Sequence, residues 1–146
     1  MKDLLNNIDL ETVISPSAGP SDDTAQVSSI VDCQGLASLT FVIATGTLAD
    51  ADATFTVLVE EGDDSGLSDA AAVADDELIG ASDSATAEAN AGFTFENDDA
   101  ARKIGYRGTK RYARITITPA NNTGAAPMCV VAVKEPMIRP AANQPA

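Results

Sequence analysis

The sequence predicts an all-β fold: an antiparallel β-sandwich, jelly-roll-like, of about seven or eight short strands with an extended arm at each end. Two observations carry this. Several stretches alternate apolar and polar residues with period two, and clusters of Gly, Pro, Asp, Asn and Ser separate them at short intervals. Apolar residues make up 45% of the 146-residue chain, yet aromatics are only 4%, with no Trp and no His. The core must therefore come from Val, Ile, Leu, Ala and four Phe, and a chain of this length forms one domain able to bury it.

Taken in order, residues 1–25 read as an N-terminal arm and linker. Leu4, Leu5, Ile8 and Leu10 give it apolar contact points, and Pro16, Gly19 and Pro20 break any regular element. The sandwich domain spans 26–136. QVSSIVDC (26–33) is β-branched and loosely alternating. In LASLTFVIATG (36–46), Leu39, Phe41 and Ile43 share a face, and in ATFTVLVEE (53–61) Phe55, Val57 and Val59 do so. Residues 67–92 are rich in Ala and acids; they read as a long loop with a short strand at ELIGA, with an Ala-rich helix as the competing assignment. FTFEN (93–97) and KIGYRG (103–108) are short strands. KRYARITITP (110–119) alternates most clearly, with Tyr112, Arg114, Thr116 and Thr118 on one face and Ala113, Ile115 and Ile117 on the other. MCVVAVKEP (128–136) closes the domain, and 137–146 is a Pro-rich C-terminal tail.

Composition excludes several chemistries. Without His there is no Ser-His-Asp triad, no Cys-His pair and no His-based zinc site. No phosphate-binding or dinucleotide-binding glycine pattern is present, and no aromatic platform supports glycosidase work. The sequence is read as that of a non-enzyme with no cofactor. Asp50 with Asp52, and Glu60-Glu61-Gly62-Asp63-Asp64, offer hard oxygen ligands that suit Ca²⁺, but their order is not that of an EF-hand, and they read as acidic turns without metal. The net charge of −13 and pI near 4.1 speak against nucleic acid or an anionic membrane as partner. No signal-like or membrane-spanning stretch is seen, so synthesis in the cytosol with Cys33 and Cys129 reduced is expected; a disulfide between them stays open if their strands are neighbours.

Positive charge is confined. Six of the nine basic residues, Arg102, Lys103, Arg107, Lys110, Arg111 and Arg114, fall within thirteen positions, and Arg139 lies in the tail. An anion-binding patch, internal pairing with the acidic turns, and contact with another subunit are the three readings. The last two rank together above the first, because the rest of the chain repels phosphate.

The stretches NNIDLETVISP, VDCQGLASLTFVIATGTLADADATFTVLVEEGDDS, ELIGA and KIGYRGTKRYARITITPANNTG, with CVVAVKEPMIRP at the end, resemble a family of small structural proteins of tailed bacteriophages. The sharpest part is Gly105 to Arg114. The resemblance implies a capsid decoration (cement) protein on the virion surface. Its partners would be the major capsid protein and further copies of itself, as a homotrimer or another symmetric oligomer. Contact candidates are Leu4, Leu5, Ile8, Leu10, Arg102, Lys103, Arg107, Lys110, Arg111, Arg114 and Arg139. The alternatives are a neck or tail component (connector or tail-terminator type) and a virion-surface glycan-binding module using Tyr106 and Tyr112.

Overall fold

The structure is a computed structural model that describes residues 3–80 and 86–138. Eleven strands are present among them: β1 (Asp9–Ile14), β2 (Gln26–Val27), β3 (Val31–Asp32), β4 (Leu36–Thr45), β5 (Thr54–Gly62), β6 (Ala71–Ala72), β7 (Leu78–Ile79), β8 (Phe93–Thr94), β9 (Ala101–Tyr106), β10 (Tyr112–Ala120) and β11 (Met128–Pro136). Among the described residues one short α-helix, α1 (Ala87–Ala91), precedes β8. One sheet has the order β1-β11-β4-β9-β7. The other runs β2-β10-β5-β6, with β3 also on β10 and β8 also on β5. All pairings are antiparallel. If β2 with β3 and β6 with β8 are taken as two interrupted edge strands, nine remain: the orders are those of an eight-stranded jelly roll with β7 added at the edge beside β9, and the chain alternates between the sheets from β6 onward.

The strand count of eleven corrects the expected seven or eight, and the causes are local. QVSSIVDC splits because Val27 faces Thr116 while Val31 faces Ala113. Three residues, Ser28 to Ile30, therefore stand opposite Arg114 and Ile115, which is a bulge. Ser28 fills the resulting gap in the ladder. Its N–H donates to Ile115 O at 2.9 Å, and its hydroxyl accepts from Ile115 N at 3.0 Å and donates to Ser29 O at 2.7 Å. Ser28 is 6% exposed and Ile115 fully buried. Ser28→Ala is expected to strand that amide and cost about 1–3 kcal/mol, read as a lowered midpoint in denaturant; an unchanged midpoint would mean that water replaces the hydroxyl.

The 67–92 segment holds β6, a turn at 75–77, β7 and α1. The short strand expected at ELIGA is Leu78–Ile79, and among the described residues of the segment the competing α-helix is limited to α1. FTFEN is strand only at Phe93–Thr94; residues 95–97 form a tight turn that Thr94 and Asn97 cap reciprocally. Phe93 stacks on Phe55 with ring centroids 4.6 Å apart.

The arm reading of 1–25 needs correction. Residues 9–14 are β1, an edge strand on β11. The presumed linker is tied to the β10–β11 turn: Asn122, 4% exposed, donates from its side chain to Pro20 O and Asp22 O, and its N–H donates to Asp23 Oδ1. Two of these three acceptors are backbone carbonyls, invisible in the side-chain pattern. The core lies between the sheets. Leu39, Phe41, Ile43, Ile104, Val130 and Ala132 from one side meet Phe55, Val59, Ala113, Ile115 and Ile117 from the other. Each large side chain there contributes up to about 1.5–3 kcal/mol.

Candidate functional site

The basic run turns a corner at one end of the sandwich, from β9 into β10. Tyr106 ends β9 pointing inward and is 4% exposed. Its hydroxyl donates to Glu61 Oε2 at 2.6 Å and lies 3.3 Å from Lys110 O. Burial first, and the Glu61 carboxylate second, push the Tyr106 hydroxyl far above its usual range. Gly105 lets Ile79 of β7 lie against β9, since a Cβ there would come 3.0 Å from Ile79 Cβ. Gly108 lies over the Tyr106–Glu61 pair, where a Cβ would fall 2.4 Å from Glu61 Oε2. Arg107 clasps the 75–77 turn by donating from Nε and Nη2 to Asp76 O at 2.9 and 2.7 Å.

Most of the cations meet partners within the chain. Lys110 pairs with Asp63 at 2.5 Å, Arg111 with Asp32 at 2.7 Å, and Arg114 with Glu60 at 2.8 Å. Arg114 and Glu60 are directly opposite in the β10–β5 register. The pairing holds the Asp32 and Glu60 carboxyls below their usual range, through the hydrogen bonds from Arg111 and Arg114. Arg111 also lies over the Tyr112 ring, 5.1 Å from its centroid. Arg102 points inward and donates from Nη1 to Asn90 O at 3.0 Å. Lys103 points outward and is exposed. Arg139 lies outside the described residues.

The internal-pairing reading of this run therefore accounts for three of the six cations, Lys110, Arg111 and Arg114, which meet acids, while Arg102 and Arg107 hold backbone carbonyls and Lys103 is exposed. The acids that meet those three lie far away in sequence.

Among the arm candidates, Leu4 and Leu5 are 66% and 69% exposed, and Ile8 is half-buried. Leu10 sits on the outward side of β1 rather than on an arm. Because β1 and β11 are antiparallel with Asp9 opposite Lys134, the segment carrying Leu4 and Leu5 and the segment carrying Met137 and Ile138 leave the sandwich at the same corner. Met137 and Ile138 are 69% and 83% exposed. Lys134 closes that corner by pairing with Asp9 at 3.3 Å and Glu11 at 3.0 Å.

A groove of about 410 Å³ runs beside the corner of the basic run, lined by Cys33, Gln34, Tyr106, Arg107, Lys110 and Arg111. Burial, with Asp32 and Glu61 nearby, pushes the Cys33 thiol up to about 11, so it is protonated at neutral pH and a poor nucleophile. Cys33 and Cys129 are both free. The acids weighed as calcium ligands are engaged with turns. Asp50 accepts from the N–H and hydroxyl of Thr123 at 2.8 and 2.7 Å. The 63–64 turn is closed by Asp69, which accepts from both its N–H groups. No group of three or more potential ligands converges among the described residues. Tyr106, buried, offers no face to a sugar, and Tyr112 is half-buried under Arg111.

Sequence reasoning missed the Tyr106–Glu61–Gly108 contact, although the Gly-Tyr-x-Gly spacing was a usable signal for a tight corner around an aromatic ring. No family model matches this chain, and no curated protein and no solved structure is similar to it.

Proposed function

We propose that the chain is a structural component of a tailed-phage virion, a decoration protein that binds the outer surface of the head and stabilises the lattice by bridging major capsid subunits. The observation that carries this reading is the apolar corner. Leu4, Leu5, Met137 and Ile138 are exposed together where β1 begins and β11 ends. A rigid sandwich with two apolar segments at one corner has the form of a clamp. Such segments cover much surface per residue, and a Leu buried on docking contributes about 1.5–3 kcal/mol. Repetition over a lattice raises the avidity of modest contacts. The resemblance of the Gly105–Arg114 motif supports the phage assignment, while the contacts of those residues give the motif itself a structural role.

The test is binding of purified protein to heads that lack it. Wild-type protein is expected to bind in hundreds of copies and to raise the temperature at which heads release DNA. Leu4→Ser/Leu5→Ser and Met137→Ser/Ile138→Ser variants are expected to fold normally and bind weakly. Heads equally heat-stable with and without bound protein would refute the cementing role, and a ring of a dozen copies or fewer would indicate a neck component.

A further inference from the structure

β10 covers one edge of β5 along its whole length, while the other edge is paired only at its ends. β8 meets Thr54 and Phe55, and β6 meets Glu60 and Glu61. The direction of the backbone groups between them follows from β10. Ile115 turns its N–H and C=O toward Ser28, and such groups alternate from side to side along an antiparallel strand. Val59 stands opposite Ile115 and Val57 opposite Ile117, so both valines turn N–H and C=O to the far edge of β5. At Val59 both groups are met: its N–H donates to Glu88 Oε1 at 2.7 Å, and its C=O accepts from Val73 N at 3.0 Å. At Val57, 6% exposed, neither group has a partner among the described residues. Buried backbone groups are almost always paired, so this one is a place that a ligand can complete.

Two further features adjoin this gap. A notch of about 480 Å³ lies between the β5 edge and α1, with Val57, Glu88, Ala89, Gly92 and Phe93 among its walls. Glu88 is half-buried there, yet it pairs with no cation among the described residues. Arg102, which approaches α1, donates to Asn90 O instead.

We infer that this notch binds an arginine side chain of a partner polypeptide. Charge selects a cation: the only carboxylate at the gap is unpaired, and the chain as a whole carries −13, which draws a basic partner. Spacing selects the guanidinium. At about 3.3 Å of rise per residue, the Val57 carbonyl and the Val59 N–H that holds Glu88 are roughly 5 Å apart. A planar fork of N–H donors spans two acceptors so placed better than the compact charge of an ammonium does. The aliphatic stem lies along Ala89, Gly92 and Phe93. The Val57 N–H, a donor, takes a peptide carbonyl of the same partner, as in the addition of an extended residue to a sheet edge. A metal ion suits the site poorly. No three acidic or thiol ligands converge among the described residues, and one carboxylate with one carbonyl leaves the shell of a hard cation unfilled.

This inference does not rest on the virion assignment, and its test uses the purified chain. The probe is N-acetylarginine amide, with N-acetylcitrulline amide as its uncharged counterpart, followed by backbone amide shifts in NMR. The arginine probe is expected to shift Val57, Val59, Ala89 and Phe93 saturably and to bind roughly 10-fold more tightly than the citrulline probe. Glu88→Gln keeps an acceptor for the Val59 N–H and removes the charge; it is expected to bring the two probes to equal affinity. Ala89→Phe, at an exposed position of α1, fills the notch and is expected to abolish binding of both. Thermal melting establishes that the variants fold, and Ala89→Phe carries the test if Glu88→Gln does not. Butylguanidinium, which has the stem and the charge but no peptide group, is expected to bind more weakly than the arginine probe. Equal binding of butylguanidinium would assign the notch to a small organic cation and overturn the polypeptide partner. Equal affinity of wild type for the arginine and citrulline probes, a Glu88→Gln protein that still prefers arginine, or shifts spread evenly over the acidic turns at Asp50 and Asp63 would each overturn the site itself.

Discussion

Gly108→Ala is expected to lower the stability of this protein by about 2–4 kcal/mol, which for a chain of this size is on the order of 10 °C in melting temperature. The added Cβ would fall 2.4 Å from Glu61 Oε2, 2.4 Å from Tyr106 Cε2 and 2.5 Å from the Tyr106 hydroxyl. None of these atoms can yield freely. The Tyr106 ring is 4% exposed and held in the core with Leu39 and Leu78, its register neighbours. Glu61 can swing away, but the phenol then keeps only the 3.3 Å contact with Lys110 O, and a buried hydroxyl without a good acceptor costs about 1–3 kcal/mol. A mutant cycle separates the two routes. If displacement of Glu61 carries the cost, Gly108→Ala will be cheaper in a Glu61→Ala background than in wild type. If contact with the ring carries it, the cost will be the same in both. A melting temperature within a degree of wild type for Gly108→Ala alone would show that the corner is slack and that the glycine is not required by packing.

The long strands were legible in the sequence because their alternation is strict. Phe41 and Ile43, Val57 and Val59, Ile115 and Ile117 all point inward as the period-two pattern predicts. Illegible were the features that depend on what lies opposite. The bulge at Ser28 exists because 28–30 face only two residues of β10, and nothing within QVSSIVDC encodes that count. β1 was hidden for a different reason: Asp9 and Glu11 look like solvent residues, yet Lys134, 123 positions from Glu11 along the chain, draws them to the rim of the core. Pro16, Gly19 and Pro20 suggested a free linker, because side-chain identity does not reveal that Asn122 binds the carbonyls of Pro20 and Asp22. The basic run was legible as a strand pair, and internal pairing was one of its two leading readings, but the particular acids were not legible, since Asp32, Glu60 and Asp63 come to Arg111, Arg114 and Lys110 only in the folded chain. The outward side of the β4–β11 pair was hard to tell from the inward one. Val42, Val131 and Val133 are as apolar as their inward neighbours, so both sides of those strands read alike.

Removing Arg114 is expected to cost about 2–3 kcal/mol and to reshape the acid limb of the stability curve. Arg114 grips Glu60 in two places, Nε to Oε2 at 2.8 Å and Nη2 to Oε1 at 3.2 Å, and Thr116 Oγ1 lies 3.3 Å from Oε2. The side chains are 27% and 18% exposed, so the pair is more sheltered than Lys110–Asp63 or Arg111–Asp32. Loss of one partner strands the other charge, which costs up to about 3–5 kcal/mol in a fully buried pair and less at this exposure. Replacing both with apolar residues, as in Arg114→Met/Glu60→Leu, is expected to recover most of the loss. The pH dependence follows from the carboxyl. Its pKa is lowered from 4.5 by the hydrogen bond from Arg114, so the unfolded chain takes up a proton here before the folded chain does. The contribution of the pair is therefore full above about pH 5 and is lost as pH falls through the folded pKa, below 4.5. Melting temperatures measured from pH 7 down to pH 3 should fall less steeply for the double variant than for wild type. Asp32 and Asp69, lowered in the same direction by Arg111 and by the N–H groups of Asp63 and Asp64, keep a residual slope in both. Parallel acid limbs in the two proteins would mean that Glu60 is equally well solvated in the folded and unfolded chains, and that the strand face of β10 owes its order to Thr and Tyr packing rather than to this ion pair.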